Sequence, residues 1–278
     1  LLGKPLRRRH SKVMHDAAFR AAGIDAEYAL VELEPDDVGP AVAAARGPGW
    51  LGLGVTAPYK QVVAGLVDEI EPEADQIGAV NNVRKTADGR LVGFNSDAPG
   101  FRAGVELALG RPIRGLDVYV AGAGGAAHAV VFALLSAGAR SVAIANRTDE
   151  RAEALATRFG GVGEGSVRAA DDDAERIAAL GAADLAVNAT TVGMVDSGTT
   201  IDVGRLRDDA TVFDLVYVPA ETPLLRAARE RGLRAANGSE MLIAQAAIAF
   251  ERWTGVSGMA GVMRDAVAPL LADATVQA

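Results

Sequence analysis

The run Leu116–Arg147, LDVYVAGAGGAAHAVVFALLSAGARSVAIANR, decides the fold. A short apolar strand pattern leads into Gly122-Ala123-Gly124-Gly125-Ala126-Ala127, a long apolar helix follows, and a second apolar strand pattern, SVAIA, closes the unit. Gly122 permits the tight turn and Gly124 lets the backbone come close to a pyrophosphate. Ala127 lets the helix pack against the strand. The free N–H groups at the helix start, around Gly125 and Ala126, stabilise anionic phosphate. Gly-x-Gly-x-x-Ala in a strand–turn–helix context predicts a dinucleotide site, against the plainer reading of a glycine turn kept for packing. The second strand ends at Asn146-Arg147-Thr148. A site for NAD usually carries a carboxylate there, to bind the ribose 2′-hydroxyl, and that carboxylate would repel a 2′-phosphate. A guanidinium at Arg147 pairs with the phosphate instead. NADP(H) is therefore the expected cofactor, with Arg151, one helical turn further on, placed to assist.

Working outward, strand and helix patterns alternate. RAEALATRF, ADLAVNAT, ATVFDLVYV and PLLRAARERG continue the αβ series, and SEMLIAQAAIAFERWTG reads as a helix with Leu242, Gln245, Ala246 and Ala249 on one face. Towards the N-terminus, MHDAAFRAAGI reads as a helix stopped at Gly23, AEYALVEL as a strand and DDVGPAVAAARG as a helix. WLGLGVT reads as a strand and KQVVAGLVDEI as a helix. GAVNNVRK and LVGFNS flank the hairpin dipeptide Asp88-Gly89. Such alternation predicts an α/β protein with parallel sheets covered by helices. The expected division is an N-terminal α/β substrate domain, residues 1–102 with 239–278, and a Rossmann dinucleotide-binding domain, residues 103–238. The C-terminal helices are expected to pack back on the first domain.

Composition excludes several classes. The 278 residues carry a formal charge of −8, which disfavours binding to nucleic acid or an anionic membrane surface. There is no cysteine, so disulfides and thiolate metal sites are impossible and a cytoplasmic setting is expected. His10, His15 and His128 lack zinc-site spacing, and no metal is expected. No apolar run reaches the length of a membrane span. The chain starts without Met, and a few residues of its first strand are expected to be missing.

A dinucleotide site needs a substrate wall. The N-terminal half offers Thr56 and Lys60 in GVTAPYK, Asn81, and Asp97 in GFNSDAPGF, all at the ends of elements. Taken alone, Lys60 reads as a solvated lysine and Asp97 as a turn former or helix cap. Together with HSKVMH, IGAVNNV, AGAGGAA, ANRT, VNATTVGM, DLVYVPAETPLL and NGSEMLIAQAAIAF, they give the chain a resemblance to the shikimate dehydrogenase family over nearly its whole length. The resemblance implies NADP(H)-dependent reduction of the ring ketone of 3-dehydroshikimate by a monomer or homodimer acting on a small cyclic hydroxy acid. It implies Lys60 and Asp97 as the catalytic pair, and Ser11, Thr56, Asn81 and Gln245 as substrate ligands. Tyr217 would line the substrate pocket, while Gly238 and Met241 would lie under the nicotinamide. The chemistry suits these residue types: charge develops on the carbonyl oxygen as hydride arrives, and an ammonium can stabilise it and supply the proton.

The departures from the family pattern leave alternatives open. Where the family has Ser-x-Ser-Pro, this chain has Arg9, His10, Ser11 and Lys12. Either Arg9 pairs with the substrate carboxylate, or the RRRH run is a solvated basic face and Ser11 holds the carboxylate alone. Family members often carry Asn at position 54 and Thr at position 82, here Gly54 and Asn82. A specialised paralogue for quinate or an amino-substituted shikimate is one alternative, with the missing side chain at Gly54 leaving room for the amino group. A non-catalytic ligand sensor is the other.

Overall fold

A computed structural model describes residues 1–6 and 8–272. Chain contacts divide it into two units, Leu1–Asp97 with the chain from Ile243 onward, and Ala98–Leu242.

The first unit begins with β1 (Leu2–Gly3), α1 (His10–Ala21), β2 (Val31–Glu32), α2 (Val38–Ala44), β3 (Gly52–Gly54) and α3 (Lys60–Ala64). It continues through β4 (Glu69–Ile70), α4 (Pro72–Ile77), β5 (Asn82–Lys85) and β6 (Leu91–Phe94) to the start of α5 (Asp97–Leu109). Its main sheet runs β3-β5-β6-β4, and a bridge from Leu2 to Val55 brings the parallel β1–β2 pair alongside. The sheet is mixed rather than parallel, because the turn at Gly89 (φ +85°) folds β6 back antiparallel on β5. Leu53, Val55, Val63, Val83 and Leu91 form the core under α2 and α3.

Three elements differ from the sequence expectation. The helix expected over 60–70 stops at Ala64 with Gly65 as its cap, and the chain then joins the sheet edge as β4. Asp68 N donates to Leu91 O and Glu71 N to Gly93 O, so pairing with β6 replaces a second helical turn. The AEYALVEL strand pairs regularly only at Val31–Glu32. Helix α1 begins at His10, four residues before the expected Met14, and takes in the last residue of the RRRH run. His10 is buried there, which corrects the reading of that run as wholly solvated.

The second unit contains β7 (Asp117–Ala121), α6 (Gly125–Ser136), β8 (Ser141–Ala145), α7 (Asp149–Phe159), β9 (Ser166–Ala169) and α8 (Asp173–Ala182). Then come β10 (Leu185–Asn188), β11 (Thr211–Asp214), α9 (Pro223–Glu230), β12 (Arg234–Asn237) and the first turn of α10 (Ser239–Thr254). The six strands run β12-β11-β10-β7-β8-β9, every pair parallel. This is the doubly wound order, with its switch point between β7 and β10. The strands Val118–Ala121 and Leu185–Asn188 are buried without alternation, as a sheet covered on both faces requires.

The end of α10 and α11 (Ala260–Ala272) belong to the first unit. Helix α11 packs along α1, Trp253 Nε1 donates to Val83 O at 3.0 Å, and Arg252 grips both carboxylate oxygens of Glu71 at 2.9 and 3.1 Å. The side-chain position of Gly52 is filled by the Trp253 ring, which lies 2.4 Å from where a Cβ would stand. The C-terminal helices thus pack back on the N-terminal unit.

Candidate functional site

In the second unit the glycine turn leaves an open cradle at the switch point. Gly122 has φ +111°, and a Cβ there would meet Thr190 Cγ2 at 2.7 Å and the Ala189 backbone at 3.2 Å, so glycine is required. At Gly124 and Gly125 a Cβ would meet nothing within 4 Å. These exposed residues, with Ala126, open the twelve-residue helix α6, whose first N–H groups have no intrahelical acceptor. Ala127 is fully buried against the sheet. Open space, free donors and a helix N-terminus together fit a dinucleotide pyrophosphate.

Asn146 closes this turn. Its Oδ1 accepts from Ala123 N at 3.2 Å and its Nδ2 donates to Thr148 O at 2.9 Å, so it ties the end of β8 to the glycine loop. Arg147 and Thr148 are exposed beside it, with Thr148 at the N-cap of α7. The next residue, Asp149, is an acid that would oppose a phosphate. Arg176 on α8 pairs with it at 2.6 Å, and also reaches Asn146 O at 3.4 Å. This neutralising arginine gave no sequence signal, since 27 residues separate the partners.

A second feature missed in the sequence lies at the ends of β10 and β11. Asp214, fully buried, accepts from Asn188 Nδ2 at 2.8 Å, Thr222 Oγ1 at 2.7 Å and Val216 N at 3.0 Å. Burial pushes its carboxyl above the ordinary carboxylate range, against the pull of those three donors. Asn188 also donates to Val192 O and accepts from Thr190 and Thr200 hydroxyls, so the loops after both strands are held by one buried network. Tyr217, half-buried, lies in the loop after β11. Gly238 admits no side chain, since a Cβ would stand 2.4 Å from Leu215 O. Met241 is buried with its backbone against Gly104.

In the first unit the structure brings Lys60, Asn81 and Asp97 together. The Pro58 turn sets Lys60 as the first residue of α3, and Asp97 begins α5. Lys60 Nζ stands 2.6 Å from Asp97 Oδ2, with side-chain exposures of 25% and 11%. Asn81 Nδ2 donates to the other carboxylate oxygen at 2.8 Å and to Ser96 Oγ at 3.2 Å. Asn81 Oδ1 accepts from Ser96 N and from Asn82 Nδ2, each at 2.8 Å. Asn82 Nδ2 also reaches Ser96 Oγ at 2.8 Å, and Asn95 Oδ1 accepts from Asp97 N at 2.9 Å. All of Asn81's hydrogen-bonding capacity is thus engaged, and its bond to Ser96 is the longest. Asn82, Asn95 and Ser96 are the members sequence reasoning missed, although NN and FNSD stand beside the residues it chose.

The remaining sequence candidates occupy separate elements. Thr56 follows β3, half-buried, and its N–H donates to Leu2 O. Ser11 is half-buried in the first turn of α1, while Arg9 occupies the N-cap position with an exposed side chain that makes no capping hydrogen bond. Gln245 is half-buried on α10. Lys12, in place of the family's proline, pairs with Asp16 at 3.0 Å and donates to Tyr28 O at 3.1 Å.

The room expected at Gly54 is absent. A Cβ there would stand 2.3 Å from Tyr28 Oη and 3.3 Å from Leu1 Cδ1, so a tyrosine hydroxyl fills the space assigned to an amino substituent.

Three family models match in chain order: shikimate dehydrogenase substrate binding domain over residues 1–83, shikimate/quinate 5-dehydrogenase over 107–208, and shikimate 5′-dehydrogenase C-terminal domain over 238–268. Shikimate dehydrogenase (NADP(+)) of Symbiobacterium thermophilum is 42% identical over 272 residues, covering 96% of this chain and 92% of that protein. The crystal structure of shikimate 5-dehydrogenase from Thermus thermophilus, in complex with NADP(H) and shikimate, is 36% identical with a TM-score of 0.86, covering 96% of this chain and 97% of that one. Quinate dehydrogenase from Corynebacterium glutamicum, in complex with NAD, is also 36% identical with a TM-score of 0.89 and the same coverage. With the glycine cradle, the Lys60–Asp97 pair and similarity along both units, the chain belongs to the shikimate dehydrogenase family.

Proposed function

We propose that this chain catalyses the NADP(H)-dependent, reversible reduction of the ring ketone of 3-dehydroshikimate to an alcohol, in the cytoplasm. The observation that carries the reading is the Lys60–Asp97–Asn81 network, a charged pair held by a satisfied amide cluster. We assign the substrate to residues 1–102 with 239–278 and the cofactor to residues 103–238.

The cofactor would be held by the Gly122–Ala127 turn, by Asn146, Arg147 and Thr148, and by Gly238 and Met241. When bound it supplies the hydride. The chain's own residues do the rest. Lys60, its ammonium aimed by Asp97, stabilises negative charge on the carbonyl oxygen and gives it a proton; in the oxidative direction it takes the proton back. Asp97 keeps the ammonium in place through one oxygen and remains fixed through Asn81 at the other. Asn81 exchanges its 3.2 Å bond to Ser96 for a ring hydroxyl. Thr56 and Gln245 hold further hydroxyls, and Ser11 takes the carboxylate.

Arg9 supports a second reading, in which the acid is quinate or an amino-substituted shikimate. It takes the sequence position where the family has the first of the two serines that hold the substrate carboxylate. The test is NADPH consumption with 3-dehydroshikimate and its 5-amino analogue, with shikimate and quinate offered alongside NADP or NAD for the reverse reaction. Fast turnover of plain 3-dehydroshikimate supports the first reading. Preference for the amino compound or quinate moves the assignment to the second. No turnover with any of them sinks both and leaves a ligand sensor.

A further inference from the structure

Tyr28 is 8% exposed, and its ring stacks on His15 with centroids 4.4 Å apart and planes 16° from parallel. Trp253 covers it at 5.9 Å. Its backbone is clamped from α1: Tyr28 N donates to Asp16 Oδ1 at 2.8 Å and Tyr28 O accepts from Lys12. A ring stacked and clamped in this way holds its hydroxyl at a fixed point. That point is the side-chain position of Gly54, 2.3 Å from where a Cβ would stand. Among the described residues the hydrogen bonds of Tyr28 run through its backbone, and none engages the hydroxyl.

Its surroundings are those of the site. Gly54 pairs across the sheet with Asn82, whose amide belongs to the cluster that fixes Asp97. Thr56 lies two residues beyond Gly54 on the same side of the chain. Ser11 is one helical turn before His15 on the same face of α1. Burial also raises the phenol's pKa, so it is a neutral group able to donate or accept.

Building on the proposed function, we propose that the Tyr28 hydroxyl is a further substrate contact: it hydrogen-bonds one ring hydroxyl from the place a side chain at position 54 would occupy, and so sets preference among ring acids. Gly54 is the condition for this contact, because any side chain there displaces the phenol.

The test is Tyr28→Phe, which keeps the stacked ring and removes only the oxygen, assayed with shikimate and with the two mono-deoxy analogues that keep the hydroxyl to be oxidised. The expected result is a KM for shikimate raised threefold to tenfold, with kcat within twofold, KM for NADP unchanged and thermal stability kept. The loss disappears for the one analogue lacking the hydroxyl that Tyr28 addresses. Lys12→Met, which loosens the clamp, raises the same KM to a smaller degree. An unchanged KM and unchanged analogue preference in Tyr28→Phe, with the unaltered protein turning over normally, overturns the Tyr28 assignment alone. Failure of the unaltered protein to turn over any of these acids overturns the proposed function and this contact with it.

Discussion

Lys60→Met separates catalysis from folding. Lys60 Nζ gives one 2.6 Å bond to Asp97, and the pair is partly open to solvent on the lysine side. Removing the ammonium does not leave the carboxylate without a donor, because Asn81 still donates to Oδ1. The cost to folding is therefore that of one partly exposed pair, about 1 kcal/mol. The cost to turnover is larger. A positioned proton donor contributes roughly 10²- to 10⁴-fold, or about 3–5 kcal/mol of barrier at 1.36 kcal/mol per decade. Steady-state kcat with NADPH and 3-dehydroshikimate measures the cost to turnover. Urea unfolding followed by tryptophan fluorescence measures the cost to folding, since Trp50 and Trp253 both lie in the unit that carries Lys60. The expected outcome is a kcat lowered at least a hundredfold with an unfolding free energy changed by about 1 kcal/mol. Lys60→Arg keeps the charge but holds its proton too tightly to pass it on, and should recover little. A kcat within fivefold of the unaltered protein, or a rate loss matched by an equal loss of stability, refutes the reasoning.

Three further outcomes follow from the geometry. Arg147→Met should raise KM for NADPH by about 10- to 100-fold, the worth of charge-assisted bonds to a 2′-phosphate, and leave KM for NADH unchanged; equal effects on both cofactors would remove Arg147 from that role. Thr222→Val keeps the shape of a fully buried side chain but removes both the cap on Leu225 N and the donor to Asp214, so calorimetry should show a loss of about 2.5–4 kcal/mol. Because the folded pKa of Asp214 is raised, the native state binds the extra proton, and stability falls as pH rises from the ordinary carboxylate value through the raised one; the Thr222→Val deficit should therefore narrow on acidification, and a deficit independent of pH would count against the carboxylate. Gly54→Ala should destabilise the first unit by about 1–3 kcal/mol through overlap with Tyr28 Oη, and Tyr28→Phe should relieve it; additive effects of the two substitutions would refute the contact.

What the chain reveals before folding depends on how far apart the interacting parts lie. The glycine turn was legible because its needs are local: a positive φ at Gly122, open space at Gly124 and Gly125, and a small Ala127 all sit within six residues. The Asp88-Gly89 hairpin was legible for the same reason. The segment after Lys60 was misread because its apolar spacing suits a helix, while the backbone of Asp68 and Glu71 finds acceptors on β6, more than twenty residues away. Lys60 and Asp97, 37 residues apart, became a pair in the sequence only through family resemblance.

Gly54 shows the limit most clearly. An absent side chain reads in sequence as room for a ligand, but whether a glycine makes room depends on what lies opposite it. Tyr28 is 26 residues away, and its position follows from a stack on His15 and a clamp by Lys12 and Asp16. The same glycine that seemed to widen the site therefore admits a hydroxyl into it. Lys12 stands where the family has a proline and Gly54 where it often has an asparagine, and both meet at Tyr28. Two departures that look independent along the chain thus meet at one residue: Lys12 on α1 holds the Tyr28 backbone, and Gly54 on β3 admits its hydroxyl. Substitution at either position should alter preference among ring acids in the same direction, because each acts by moving a single oxygen.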